Sequence, residues 1–225
     1  TSVLSIKLHN SDCCLIQCKC PIIKESSEVK YLGIIFDNHL KWNQHINYLC
    51  NKLRKIVYYF VLLRNYLSIS LLRTIYLTLF QSVIMYGIIG WGSSFKSNFN
   101  PLYLLQKKII KICLHKPIDF PSQNLFLDFN VLDVRQIYYI VLIKFIHKNR
   151  NNFELYSHSY ETKGMNSLRL FEPKCNTVTV FNHSSNLGPR IYNKFIFKYP
   201  NLVNSNSSSI KFKKLCMDFI KIEKL

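Results

Sequence analysis

The sequence predicts a mainly α-helical fold preceded by a short β segment. Residues 29–36 form a run rich in β-branched and aromatic residues, and the run ends at the turn signal Asp37-Asn38. From residue 38 onward, apolar residues recur at alternating spacings of four and three, the period of a helix that is buried along one side. Hydrophobic residues make up 48% of the 225-residue chain, which is enough to bury a core between such helices.

The β segment is predicted to cover residues 3 to 36, as the edge of a sheet whose other strands are missing. Two or three strands alone are marginally stable in water, which favours a truncated protein. Within this segment Gly33 is interpreted as a bulge or a close backbone approach. Asp37 is predicted to cap the following helix.

Helices account for most of the remaining chain. The first has a stripe formed by Trp42, Ile46, Leu49, Leu53, Ile56, Phe60, Leu63 and Leu67. Its aromatic content favours packing in a helical bundle over a coiled coil. The second, from Leu71 to about Ile88 with Ser68 as its cap, is apolar almost all round and is predicted to be buried. A transmembrane span is the alternative, and Arg73 and Gln81 argue against it.

Three glycines around Trp91 (Gly87, Gly90 and Gly92) are predicted to break that helix. Asn100-Pro101 opens a third helix, whose predicted inward residues are Leu104, Leu105, Ile109, Ile110 and Cys113. Asp133 is a predicted N-cap for a helix from Val134 to about Lys148. Loops and short strands are expected over residues 149–187. A final helical pair is predicted over Pro189 to Tyr199 and Ser209 to Lys221.

The charge is strongly positive. Lys and Arg number 30 against 12 acidic residues, a formal net charge of +18. Such a surplus favours polyanions, either nucleic acid or an anionic membrane surface. The alternative is a basic coding sequence that has drifted toward Lys, Asn and Ile. The eight Cys follow no disulfide framework and no C-x-x-C zinc pattern, so reduced thiols and an intracellular location, nuclear or cytoplasmic, are expected.

A series of short motifs resembles the reverse transcriptases of non-LTR retrotransposons, especially the jockey-like group. They are VKYLGIIFDNHLKW from Val29 followed by His45-Ile46, Tyr86-Gly87, Trp91-Gly92-Ser93, LLQKKIIKI from Leu104, GPRIYN from Gly188 and IKFKKL from Ile210. Each is weak by itself, but their order across residues 29 to 220 is specific. The resemblance implies a remnant of the polymerase palm sheet over 1–37, a helical thumb-like domain over 38–120 and an irregular tail with terminal helices over 121–225.

The resemblance also implies a function, which is to hold the RNA template and DNA primer as a duplex. Tyr31, Leu32 and Gly33 would lie in the turn that supports the primer end. The other candidate nucleic-acid contacts are basic residues of the first and third helices: Lys52, Lys55, Arg64, Lys107, Lys108 and Lys111. Arg190, Lys211, Lys213 and Lys214 could bind the element's RNA, although an amphipathic end helix explains them as well. Neither a small-molecule substrate nor a membrane partner is expected.

Catalysis is assigned to the parent protein. Polymerisation uses metal ions held by clustered carboxylates, and no two acidic residues of this chain are adjacent. We therefore predict that this chain contains neither catalytic nor metal-binding residues. Mg²⁺ is expected only in the full-length protein. Two other functions stay open: a non-enzymatic basic helical module, decayed or domesticated, that binds RNA or DNA, and a membrane-associated helical protein.

Overall fold

The structure, a computed structural model, describes residues 26–117, 119–121, 124–155, 169–200 and 209–222. The chain divides into two compact units, Thr1–Lys41 and Trp42–Leu225. The strands predicted before residue 26 and the cysteines between residues 13 and 20 lie outside the described residues. The prediction of a mainly α fold with a small β part is confirmed.

The first unit contains an antiparallel hairpin of β1 (Glu28–Tyr31) and β2 (Ile34–Asp37), in which Glu28 pairs with Asp37 and Tyr31 with Ile34. The Asp37 carboxylate accepts hydrogen bonds from the backbone N–H groups of His39, at 3.2 Å, and of Lys41, at 2.9 Å. Asp37 therefore stabilises a turn, and the prediction that it caps a helix was wrong. The reason is that the first helix begins only at Asn43, beyond the reach of this side chain.

The second unit is helical. Its elements are α1 (Asn43–Leu63), α2 (Ile69–Ile75), a π-helical turn (Tyr76–Gln81), α3 (Ser82–Met85), α4 (Ile88–Trp91), α5 (Lys96–Cys113), α6 (Leu125–Asp128), α7 (Val134–Lys148), a 3-10 turn (Arg150–Asn152), α8 (Val178–Asn182), α9 (Ser184–Lys198) and α10 (Ser209–Ile222). α1 packs along α5, and α7 packs against α3, α4 and α5 as well as α9 and α10. Helices before and after residue 120 thus share contacts, while the functional division at that residue stays a prediction.

Residues 69–91 have one buried face. Leu72, Tyr76, Phe80, Ile84 and Ile88 are buried at constant spacings of four, whereas Leu71, Leu79 and Met85 are exposed. In a regular α-helix a spacing of four drifts by about 40° at each step, and the wider π-helical turn offsets part of that drift. The prediction of burial on all sides was wrong, because apolar composition alone does not show which side meets a neighbour. None of the helices in the described ranges has the length and apolarity needed to cross a bilayer.

The breaks in this segment were only partly predicted. Ser68 caps α2 as predicted by accepting from the Leu71 N–H at 3.4 Å. Gly87 interrupts the helix with φ 63°, a conformation that glycine adopts without strain. Gly90, in contrast, lies inside α4, and Gly92 follows its last residue.

The third predicted helix is longer than expected at its N-terminal end. α5 begins at Lys96, and Pro101 lies inside it instead of in its first turn. The additional turn is anchored by Phe99, which is buried and lies 5.8 Å from the ring of Trp91. Leu104 is 55% exposed, so its predicted inward position was wrong, whereas Leu102 is buried.

The predictions for α7 and the terminal helices were closer. α7 covers Val134–Lys148 as predicted, and Asp133 forms a capping box with Gln136. α9 begins at Ser184, five residues before the predicted Pro189, with His183 as its N-cap. α10 covers Ser209–Ile222. The expectation of loops over 149–187 missed the short helix α8.

Candidate nucleic-acid interface

The residues predicted to support the primer end form the tip of the hairpin. Leu32 and Gly33, with φ 46° and 81°, are the two residues of the tight turn that joins β1 to β2. Positive φ at both positions matches the right-handed twist of the strands. The interpretation of Gly33 as a bulge or close approach was wrong, since it is the second turn residue. Tyr31 is 65% and Leu32 70% exposed, so this tip presents an apolar surface.

The α1 candidates lie on the exposed side of that helix. Lys52 and Lys55 are both exposed and stand three residues apart, so they are neighbours on the helix surface. Arg54, also exposed, donates to the Asn51 side-chain oxygen at 2.6 Å. Arg64 differs: it follows the last residue of α1, is half-buried, and has a buried Nε without a hydrogen-bond acceptor among the described residues.

The α5 candidates also share one side of their helix. Lys108 is exposed, and Lys107 and Lys111 are half-buried one turn apart. The Lys107 ammonium lies 4.3 Å from the centre of the Tyr103 ring, and that ring stacks on Phe126 at 5.5 Å. Tyr103 is therefore engaged inside the protein and holds Lys107 in place by a cation–π contact.

The structure thus groups these candidates by element. Lys52 and Lys55 come together on α1, and the three lysines come together on α5, the helix that packs along α1. The hairpin tip belongs to the other compact unit. Between Asp37 and Asp119 the sequence has eleven Lys and Arg and no acidic residue. The field of the exposed lysines is therefore not offset by carboxylates on α1 to α5, and the helices attract anions.

Sequence analysis missed the residue that fixes α5 in place. Gln106 is fully buried next to Lys107. Its Nε2 donates to the Tyr76 hydroxyl at 2.6 Å and to the Leu132 carbonyl at 2.7 Å, and its Oε1 accepts from the Val134 N–H at 3.0 Å. One amide therefore joins the π-helical turn, α5 and the beginning of α7. The available signal was spacing, because Gln106 stands four residues after Leu102 and three before Ile109, which places it on the buried side of α5 despite its polarity.

The tryptophan and histidine motifs also build the core. The ring of His45 lies 6.4 Å from that of Trp42 and 5.8 Å from that of Trp91, and all three side chains are buried. Trp91 donates its indole N–H to the Tyr86 carbonyl at 3.0 Å. The motif residues that stand far apart in sequence therefore meet in one aromatic cluster. Burial lowers the pKa of His45 from 6.5 to about 4.

This depressed pKa predicts acid sensitivity of the fold. The unfolded chain takes up a proton at His45 below about pH 6.5, whereas the folded protein resists it until about pH 4. Above about pH 6.5 His45 is neutral in both states and the free energy of unfolding does not depend on it. As the pH falls from about 6.5 to about 4, only the unfolded chain gains the proton, so the free energy of unfolding falls. The total loss is about 3 kcal/mol, at about 1.4 kcal/mol per pKa unit. Urea unfolding at a series of pH values should show this loss in the wild type and a smaller loss in His45→Phe. Carboxylates titrate equally in both proteins, so equal pH slopes would contradict the prediction.

The GPRIYN motif holds the tail together. Asn193 accepts from the Leu170 N–H and donates to the Leu170 carbonyl, both at 2.9 Å, which fixes an extended segment against α9. Arg190 donates to the Pro173 carbonyl at 3.2 Å and lies 4.2 Å from the Phe181 ring centre. Arg190 thus has a structural role in the tail, and the expectation that it could bind RNA stays a prediction. Lys211, Lys213 and Lys214 are exposed on α10.

A metal centre is not formed by the part of the chain that the structure describes. Within it, no three His, Cys, Asp or Glu side chains come close enough to hold a metal ion.

Comparison with known proteins gives one informative relative. The chain is 25% identical over 118 residues to the probable RNA-directed DNA polymerase from transposon BS of Drosophila melanogaster. The match covers 51% of this chain and only 13% of that protein. No protein-family model and no solved structure matches the chain significantly. The similarity supports a reverse-transcriptase-related origin, whereas the jockey-like group and the carboxy-terminal position stay predictions.

Proposed function

We propose that this chain is part of the reverse transcriptase of a non-LTR retrotransposon and holds the RNA–DNA duplex of template and primer. The observation that carries the proposal is the set of lysines on α1 and α5, of which Lys52, Lys55 and Lys108 are exposed, in a stretch of the chain without acidic residues. The similarity to a transposon polymerase supports the same conclusion. In this proposal α1 to α5 belong to the thumb, and the hairpin is the end of the palm sheet.

The physical basis is attraction to the phosphate backbone. Each lysine that neutralises a phosphate releases a condensed counterion. The logarithm of the binding constant therefore falls linearly with the logarithm of the salt concentration. Such contacts do not read sequence, which suits a surface that must hold any template–primer pair. The catalytic carboxylates and their Mg²⁺ are assigned to the rest of the parent protein, which acts inside the cell. The isolated chain should therefore bind template–primer without extending the primer.

The α5 lysines provide the test. Replacing Lys107, Lys108 and Lys111 together by Gln is expected to weaken binding of a fluorescent RNA–DNA duplex at low salt, by about tenfold or more. It should also reduce the slope of log affinity against log salt by about 2 to 3, because each lost phosphate contact removes about 0.7 to 0.9. Fluorescence anisotropy over a salt series measures both quantities.

The matched control removes the same charge from α10, by Lys211→Gln, Lys213→Gln and Lys214→Gln. Equal effects of the two triple variants would show that only net charge matters and would contradict a specific contact of α5. Equally tight binding of double-stranded DNA of the same length would favour the non-enzymatic basic module over the template–primer role.

A further inference from the structure

The second half of α1 exposes aromatic rings beside its cations. Tyr58 is 61% and Tyr59 59% exposed, although both belong to a helix whose other side is packed in the core. We propose that this side of α1 is a stacking platform for unpaired nucleotides, so that it binds single-stranded nucleic acid next to the duplex. The inference rests on the proposed function and deepens it, because it assigns a different form of nucleic acid to α1.

The spacing along α1 places rings and cations in two rows. Lys52, Lys55 and Tyr59 follow one another at steps of three and four, so they form a single row on the helix surface. Arg54 and Tyr58 are four residues apart and form a neighbouring row. In each row the residue that carries the ring follows a cationic residue by four positions, about one turn of the helix. A strand lying along the helix can therefore meet a cation with its phosphates and an aromatic ring with its bases.

The two rings remain available for stacking. Buried contacts of α1 are made from its opposite side by Leu53, Val57 and Phe60. The ring centres of Tyr58 and Tyr59 are 6.1 Å apart with a tilt of 61°. In such an edge-on pair one ring covers part of the other, and the exposed remainder of the two rings is the surface that a base would meet.

The composition of this surface favours nucleic acid over a protein partner. Lysine is depleted in protein–protein interfaces, whereas here Lys52, Arg54 and Lys55 precede the exposed Tyr58 and Tyr59 on the same helix. α1 contains no acidic residue, so its charge complements a phosphate backbone. Cations combined with aromatic rings are what sequence-tolerant single-strand binding uses. In a duplex the bases are already stacked on one another, so the rings discriminate in favour of unpaired nucleotides.

The test compares two probes on one pair of variants. Tyr58→Leu together with Tyr59→Leu keeps the surface apolar but removes the rings. It is expected to weaken binding of a 12-nucleotide adenosine RNA by about tenfold or more, since stacking contributes about 1 to 3 kcal/mol per base, and every 1.4 kcal/mol is tenfold in affinity. Binding of the RNA–DNA duplex should change less than twofold. Tyr58→Phe with Tyr59→Phe keeps the rings and should retain single-strand affinity.

Tyr66→Leu is the position control, because this tyrosine is 85% exposed but lies beyond the end of α1. Unchanged single-strand affinity in the double leucine variant would overturn the proposal and leave protein docking as the role of this surface. If the double variant unfolds, Tyr59→Leu alone gives the same comparison with a smaller change. The lysine variants of α5 test duplex binding separately, so failure of the stacking platform is distinguishable from failure of the proposed function.

Discussion

Replacing Gln106 by methionine is expected to lower the free energy of unfolding by about 3 kcal/mol or more. Methionine has a similar volume but neither donates nor accepts strongly, so the Leu132 carbonyl and the Val134 N–H both lose their partner. Each buried polar group left unpaired costs about 1 to 3 kcal/mol. The Tyr76 hydroxyl loses its partner too. The cost is less than the sum because the helices can shift slightly.

Denaturant unfolding of both proteins measures this change. Gln44→Met is the matched control, because Gln44 is exposed on α1 and the same substitution there should change stability by less than about 0.5 kcal/mol. A double-mutant cycle with Tyr76→Phe isolates the contact between the two side chains. A loss below 1 kcal/mol for Gln106→Met would show that the amide does not hold α5, the π-helical turn and α7 together.

The same contact bears on the proposed interface. Lys107 follows Gln106 directly, so its position depends on how firmly α5 is held. A lysine on a fixed helix loses less freedom when it meets a phosphate than one on a helix that shifts. Gln106 is therefore a positioning residue for the α5 lysines, even though it is buried.

The elements that were predicted well are those with local signals. The beginning of α7 was predicted correctly because Asp133, the N-cap, and Gln136 form a capping box, a signal contained in four consecutive residues. Lys52, Lys55 and Lys108 are exposed, since a charge avoids burial whatever the tertiary fold, while their role in binding stays a prediction. The mainly helical architecture could also be predicted, because the apolar periodicity that indicates a helix is a local signal.

The parts that could not be predicted depend on distant partners. Gln106 is buried through residues that stand 26 to 30 positions away in the sequence. α5 begins early because Phe99 meets Trp91, which no local pattern indicates. The sequence pattern gave no role to Tyr58 and Tyr59, because their exposure depends on which side of α1 is buried against its neighbours. Val57 is buried in place of the predicted Ile56, a difference that only the neighbouring helix decides.

The glycine that follows Trp91 gives the second large expected effect. Gly92 has φ −66° and ψ −13°, which any residue adopts, so its backbone does not require glycine. The lack of space at this position does require glycine. A Cβ there would overlap the Ile88 carbonyl oxygen and the Tyr138 ring, whose Cε2 would be 2.7 Å away. Tyr138 is 1% exposed and has no room to move aside. Gly92→Ala is therefore expected to cost about 3 kcal/mol, the upper part of the range for overpacking.

Gly90→Ala is the control, two residues away in the same short segment. A Cβ there would lie 3.8 Å from the Trp42 ring, an ordinary contact, and Gly90 lies within α4. Alanine is favoured over glycine in a helix by about 1 kcal/mol, so this variant should be neutral or more stable. Thermal and urea unfolding of both variants measure the difference. Similar stabilities would mean that α4 and α7 do not pack as closely as the position of Gly92 requires, and the motif glycine would then need a reason other than packing.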